Sequence, residues 1–146
     1  MSTKVKRFVS TILLVIMSIL LLAGCGKAAK LTEYDFGVDK IPSVNAVLGE
    51  TRKVSGISAG IENGVRHREY TYATETMADD LWVYYTRLSE LGWIVTKDFS
   101  LADGEGEMQL GIESADEGKI LIISIEFTLK SYTIRVEKMD GTLTLY

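Results

Sequence analysis

Two residue types that carry much of protein chemistry occur only once each in this chain. Cys25 is the only cysteine and His67 is the only histidine. One cysteine cannot form a disulfide within the chain, and one histidine cannot build a zinc site. His67 lies between Arg66 and Arg68 in a predicted strand, and no serine lies in a nucleophile elbow. We therefore predict that His67 is structural, that the domain has no catalytic triad and that it uses no cofactor.

Three alternating carboxylates could bind a cation. Asp103, Glu105 and Glu107 are separated by single residues in a glycine-rich segment, a spacing that resembles the start of a calcium-binding loop. The comparison fails at Met108, where such a loop needs glycine, and at Ser114, where it needs a bidentate glutamate. We therefore predict a solvated acidic turn and keep the three carboxylates as weak metal candidates.

Four aromatic residues are candidates for a binding patch. Tyr70 and Tyr72 alternate in a predicted strand, and Trp82 and Tyr85 flank the apolar stripe of a predicted helix. If these rings are exposed, they form a surface suited to a sugar or a peptide. The alternative is that most of them pack at the margin between helix and sheet.

The first 25 residues have the order of a secretory leader. Lys4, Lys6 and Arg7 precede an apolar run from Phe8 to Leu22, and small residues follow it. The run is about 15 residues, or roughly 22 Å as a helix, which is short for a membrane span. A cleaved signal peptide over residues 1–24 is therefore favoured over a permanent transmembrane helix.

The tetrad Leu22-Ala23-Gly24-Cys25 resembles the lipobox of bacterial lipoproteins. The resemblance implies that cleavage falls between Gly24 and Cys25 and that the Cys25 thiol carries a diacylglyceryl group with fatty chains such as palmitate. Two chains on one residue give stable anchoring where one gives only marginal binding. The expected location is the outer side of a cell membrane, with the lipid bilayer as the first partner.

The charge balance argues against nucleic acid as a partner. Without the three basic residues before the apolar run, the chain has thirteen Lys and Arg against twenty Asp and Glu, a net charge near −7. Nucleic-acid binding needs basic surfaces. An acidic domain is also repelled by anionic lipids, so we expect only the acylated end to contact the bilayer.

The hydrophobic pattern predicts one domain after a polar connection. Residues 25–40 are mixed and polar, and we predict a flexible tether there, with a single domain over residues 41–146. Asn63-Gly64 predicts a two-residue hairpin turn. The 4-3-4-3 spacing from Met77 to Leu91 predicts an amphipathic helix that begins at a Thr76–Asp79 capping box. It is expected to end in a Schellman motif with Gly92 at C′ and Trp93 at C″.

Alternating strands then run to the end of the chain. Lys119–Phe127 is the most apolar of them and is expected at the sheet centre, and Thr142–Tyr146 is a candidate short edge strand. The element order is ββαββββ. We therefore predict an α+β fold with one amphipathic helix packed on a curved, mainly antiparallel sheet of about six strands.

The mature region also resembles small uncharacterised lipoproteins of Gram-positive bacteria. The matching residues are Pro42-Ser43-Val44, Val47-Leu48-Gly49, Tyr70-Thr71-Tyr72, Asp80-Leu81, Tyr85, Leu88 and Gly92-Trp93. This resemblance implies no activity. We expect a non-enzymatic domain that binds an envelope protein, peptide or glycan. The alternative is an envelope-associated enzyme or accessory hydrolase that uses Asp, Glu and Tyr side chains on the open face of the sheet.

Overall fold

A six-stranded antiparallel sheet with one long helix on its face forms the domain. The computed structural model describes residues 31–144, so the signal peptide, the lipobox and Cys25 lie outside the described residues. The elements are β1 (Glu33–Phe36), β2 (Asp39–Pro42), α1 (Val44–Leu48), β3 (Lys53–Glu62), β4 (Val65–Ala73), α2 (Met77–Glu90), β5 (Ile94–Ala102), β6 (Glu105–Glu113), β7 (Lys119–Thr128) and β8 (Ser131–Asp140).

The strand order of the large sheet is β3-β4-β8-β7-β6-β5, and every neighbouring pair is antiparallel. The predicted α+β class is confirmed, and the predicted ββαββββ order holds from β3 to β8, while the β1–β2 hairpin and α1 precede it. Strand β7 lies inside the sheet, as its apolar sequence predicts. Within residues 31–144, no helix is both long enough and apolar enough to span a membrane.

Turn chemistry explains where two hairpins close. Asn63 and Gly64 have φ angles of 50° and 80°, so both central residues of the β3–β4 turn are left-handed, as a type I′ turn requires. Asp103 and Gly104 repeat this geometry between β5 and β6, with φ angles of 53° and 82°. The acidic turn is therefore confirmed, although β6 already begins at Glu105.

Helix α2 ends as predicted but begins differently. The Trp93 N–H donates to the Leu88 carbonyl and the Gly92 N–H to the Ser89 carbonyl, both at 3.0 Å, which is the Schellman pattern. The predicted capping box is wrong. The Thr76 side chain makes no capping hydrogen bond and instead donates to Asp80 Oδ1 at 3.0 Å.

The tether prediction over residues 25–40 is wrong for residues 33–40, which form the β1–β2 hairpin. Tyr34 and Phe36 alternate with exposed residues and are buried, because the hairpin packs on the same face of the large sheet as α2. Tyr34 stacks on Tyr70 with ring centroids 4.3 Å apart, and its hydroxyl shares a 2.7 Å hydrogen bond with Tyr72. The hairpin therefore belongs to the folded core.

A buried carboxylate ties this hairpin to the sheet. Asp39 accepts hydrogen bonds from Ser114 Oγ at 2.6 Å and from the Ala115 N–H at 2.8 Å. It also pairs with Lys138 Nζ at 2.7 Å, and Lys138 pairs in turn with Asp116. Burial alone would raise the pKa of Asp39, but Lys138 and the two hydrogen bonds outweigh it and lower that pKa.

A second buried carboxylate joins α2 to the loop before β3. Arg52 donates to both Asp80 oxygens, from Nε at 2.8 Å and from Nη2 at 2.9 Å. The hydroxyls of Thr74, Thr76 and Tyr132 complete the shell. Burial opposes the charge of Asp80, but these donors dominate and hold its pKa below the usual value of 3.8.

Acid is therefore expected to destabilise the domain. The pKa values of Asp39 and Asp80 lie below 3.8 in the folded state, so the unfolded chain binds more protons than the folded chain. Their stabilisation is complete well above pH 3.8 and is lost as the pH falls through the folded pKa values. Urea unfolding at a series of pH values measures this loss, and Asp39→Asn should flatten the profile. An acid profile unchanged in both Asp39→Asn and Asp80→Asn contradicts the assignment.

The C-terminal segment crosses the open face and does not add a strand. Residues 141–144 have no strand structure, so the predicted edge strand at Thr142–Tyr146 is wrong over those residues, and 145–146 lie outside the described residues. The Leu143 N–H donates to Glu113 Oε1 at 2.6 Å. The Leu143 side chain lies with Ile122 and Thr96 over Gly111. This contact explains why Ile122 is buried on the face away from the helix.

Candidate functional site

The open face of the sheet is a network of ion pairs. Arg135 binds Glu62, Glu69 and Glu137 at 2.7, 2.8 and 2.7 Å. Farther along the same face, Lys97 pairs with Glu107 at 2.5 Å. These four carboxylates are thus engaged with cations, and the buried tyrosines of the core lie on the opposite face.

His67 and Ser58 share the open face at one end of the sheet. His67 is opposite Gly60 and Glu137, and its buried Nδ1 has no hydrogen-bond partner. Sequence reasoning missed that residues 56–60 have the Gly-x-Ser-x-Gly spacing of a nucleophile elbow. Ser58 lies within β3, however, and its Oγ donates to Glu69 at 2.9 Å. It therefore lacks the sharp strand-to-helix turn that exposes a nucleophile.

The three weak metal candidates are not brought together. Asp103 lies in the β5–β6 turn, while Glu105 and Glu107 lie in β6, where Glu107 is paired with Lys97. Among residues 31–144, no three or more His, Cys, Asp or Glu side chains are placed to hold a metal ion.

The predicted aromatic patch divides into two groups. Tyr70 and Tyr72 are buried in the core, so their assignment to a binding surface is wrong. Tyr72 stacks on Tyr132 with centroids 5.2 Å apart, and burial raises the pKa of Tyr72 to about 12. Both residues face the side of the sheet that α2 and the β1–β2 hairpin cover.

Trp82 and Tyr85 do reach the surface, on one flank of α2. Their ring centroids lie 6.1 Å apart, and Trp82 remains 69 % exposed. One helix turn brings positions i and i+3 to neighbouring places, so the two rings form a continuous aromatic ledge. These two rings border a groove that the sequence pattern does not predict.

The groove lies between α2 and β5 and encloses about 590 Å³. We call it the α2–β5 groove. Its helix wall is Met77, Ala78, Leu81, Trp82 and Tyr85, its strand wall is Val95, Asp98, Phe99 and Leu101, and Met108, Phe127 and Leu129 complete the lining. Phe99 stacks on the buried Phe127 with centroids 5.3 Å apart, which fixes the strand wall to the floor. The groove exists because α2 covers one part of the sheet and leaves the part near β5 open.

Four large apolar side chains of this lining are more than half exposed. The exposed fractions are 69 % for Trp82, 61 % for Phe99, 57 % for Leu101 and 71 % for Leu129. Isolated exposed apolar residues need no explanation, but a contiguous group of them marks a binding surface. Asp98 is the one charged residue in the lining.

Sequence reasoning missed the strand wall for a local reason. The β5–β6 register shifts between Val95 and Lys97 and again between Lys97 and Ser100, so side chains of β5 do not follow simple alternation. The available signals were Phe99 near the end of a predicted strand and Leu129 in a turn between polar neighbours.

Comparison of the chain with known protein families found no match, and comparison with curated proteins and with solved structures found none either.

Proposed function

We propose that the chain is a membrane-anchored extracytoplasmic lipoprotein whose domain binds a component of the cell envelope in the α2–β5 groove. The observation that carries the binding role is the contiguous exposed apolar lining around Trp82 and Phe99. The anchor rests on the lipobox resemblance of residues 22–25.

The chemistry of the lining favours binding over catalysis. Of the twelve lining residues, Asp98 and Tyr85 alone carry groups that could transfer a proton in general acid–base chemistry. The remaining lining residues offer apolar and aromatic contact. Such a surface gains affinity by removing apolar area from water.

The negative charge of the domain is consistent with a domain that does not itself contact the lipid. Five of the sixteen basic residues lie in residues 1–30 and all twenty acidic residues lie beyond them, which leaves a net charge of −9 for residues 31–146. Anionic headgroups repel such a body. Retention at the membrane then depends on the fatty chains.

The anchor is tested by metabolic labelling with palmitate. We expect the natural chain to incorporate the label and to begin at Cys25 by mass spectrometry. Cys25→Ser should incorporate none and should retain residues 1–24, because it lacks the thiol that is acylated before cleavage. Lys27→Gln is the control and should be labelled normally. An unlabelled natural chain, or one cut elsewhere, contradicts the proposal.

Binding in the α2–β5 groove is tested by a photo-reactive amino acid placed in living cells. Incorporation at Leu129 should yield cross-links to an envelope component. The matched position is Ile61, an exposed apolar residue on the distant edge strand β3, and it should yield none of the same product. Equal products at both positions contradict a binding role for the groove.

A further inference from the structure

We infer that the occupant of the α2–β5 groove is a basic amphipathic segment of a partner protein, a proposal that rests on the binding role given above. Two properties of the groove carry it. These are the open shape of its walls and the sign of its charge.

The open walls favour a segment of a larger partner over a small molecule. Pockets for small ligands bury most of the ligand surface. Here Trp82, Phe99 and Leu129 are themselves more than half exposed, so an occupant of the groove stays open to water on its outer side. An amphipathic segment suits this arrangement, because its apolar side chains enter the groove and its polar face remains hydrated.

The charge of the groove selects a basic occupant. Asp98 is the one charged residue of the lining, and residues 31–146 carry a net charge of −9. A fatty acid or another anionic amphiphile would place its head group in this negative field. A lysine or arginine gains attraction to Asp98 and to the face of Trp82.

The test uses the full acylated chain in nanodiscs of phosphatidylcholine, with empty nanodiscs as the blank. The first probe is a synthetic peptide of about 18 residues, five helical turns, with leucines on one face and lysines on the other. The second has glutamate at every lysine position, and the third probe is oleate. We expect the lysine peptide to bind at least tenfold more tightly than the glutamate peptide or oleate.

Variants locate the binding. Trp82→Ala should lower the affinity for the lysine peptide about 30-fold, as expected when a central aromatic residue of an interface is removed. Asp98→Asn should lower this affinity about fivefold and make it less dependent on salt concentration. Two variants serve as controls. Glu117→Gln removes a charge from the turn between β6 and β7, and Ile61→Ala removes an exposed apolar side chain from β3. Both controls should bind like the natural chain.

The outcomes separate the two levels of the proposal. Equal binding of both peptides in a Trp82-dependent manner overturns the basic-segment inference while the groove remains a binding site. Preferential, Trp82-dependent binding of oleate overturns it in favour of an acyl ligand. Cross-linking at Leu129 without binding of the lysine peptide overturns it as well. If Leu129 gives no cross-link and none of the three probes binds, the binding role of the groove is itself overturned.

Discussion

Replacement of Asp80 by alanine is expected to lower the free energy of unfolding by about 3 kcal/mol. The substitution leaves the Arg52 guanidinium without its bidentate partner and removes the acceptor used by Tyr132 and two threonines. Arg52 keeps partial access to water and a second contact with Glu50, which limits the loss to the lower part of the range for broken buried pairs. Urea denaturation followed by circular dichroism measures it.

The matched control lies on the same helix. Arg87 pairs with Glu90 at 3.0 Å, but both side chains are about half exposed, so Arg87→Ala should cost at most about 0.5 kcal/mol. A double-mutant cycle between Asp80→Ala and Arg52→Ala isolates the pair. Similar losses for Asp80→Ala and Arg87→Ala would contradict a structural role for the buried network.

Gly106→Ala is expected to destabilise the domain by about 2 kcal/mol. A methyl group at this position overlaps the Phe127 ring and lies 2.6 Å from the Ser100 carbonyl oxygen. Phe127 is held between Phe99 and the core, so relief requires movement of the groove floor or of β5. We therefore expect weaker binding of the lysine peptide together with a lower urea midpoint.

Gly56→Ala provides the comparison in another strand. The added methyl group meets Thr71 at 3.7 Å, which is ordinary van der Waals contact, and the substitution restricts the unfolded chain. Its urea midpoint should be unchanged or slightly higher. Equal destabilisation by both substitutions would show that any side chain in place of a strand glycine is harmful, and would remove the steric explanation for Gly106.

The features of the fold that depend on neighbouring residues could be predicted. Asn63-Gly64 closes its hairpin because both residues tolerate positive φ, and Gly92-Trp93 ends α2 through local hydrogen bonds. The amphipathic period of α2 and the apolar character of β7 gave the correct α+β class. These signals act within a few residues, so the sequence displays them directly.

The features that depend on distant residues could not be predicted. Tyr34 and Phe36 alternate in a short polar stretch, and their burial requires the surface around Tyr70, which follows them by more than thirty positions. Likewise, the partner of Asp80 is Arg52, from a loop. Of the four aromatic residues predicted to form one patch, the two in β4 are buried and the two in α2 reach the surface. Strand alternation could not predict this, because it does not reveal which face of the sheet a helix covers. The α2–β5 groove exists because α2 covers only part of the sheet and because the register of β5 shifts twice.

The position of β8 has a consequence for the kinetics of folding. Among the strands of residues 31–144 it comes last in sequence, yet it lies between β4 and β7 and joins two groups of strands that share no other edge. The β3–β4 hairpin and the β5–β7 meander cannot combine into one sheet until residues 131–140 arrive. Such non-local pairing is slow because a long loop must close first. Until residues 131–140 are available, β4 and β7 each keep one hydrogen-bonding edge unpaired, so the complete sheet forms only after all of its other strands have been made.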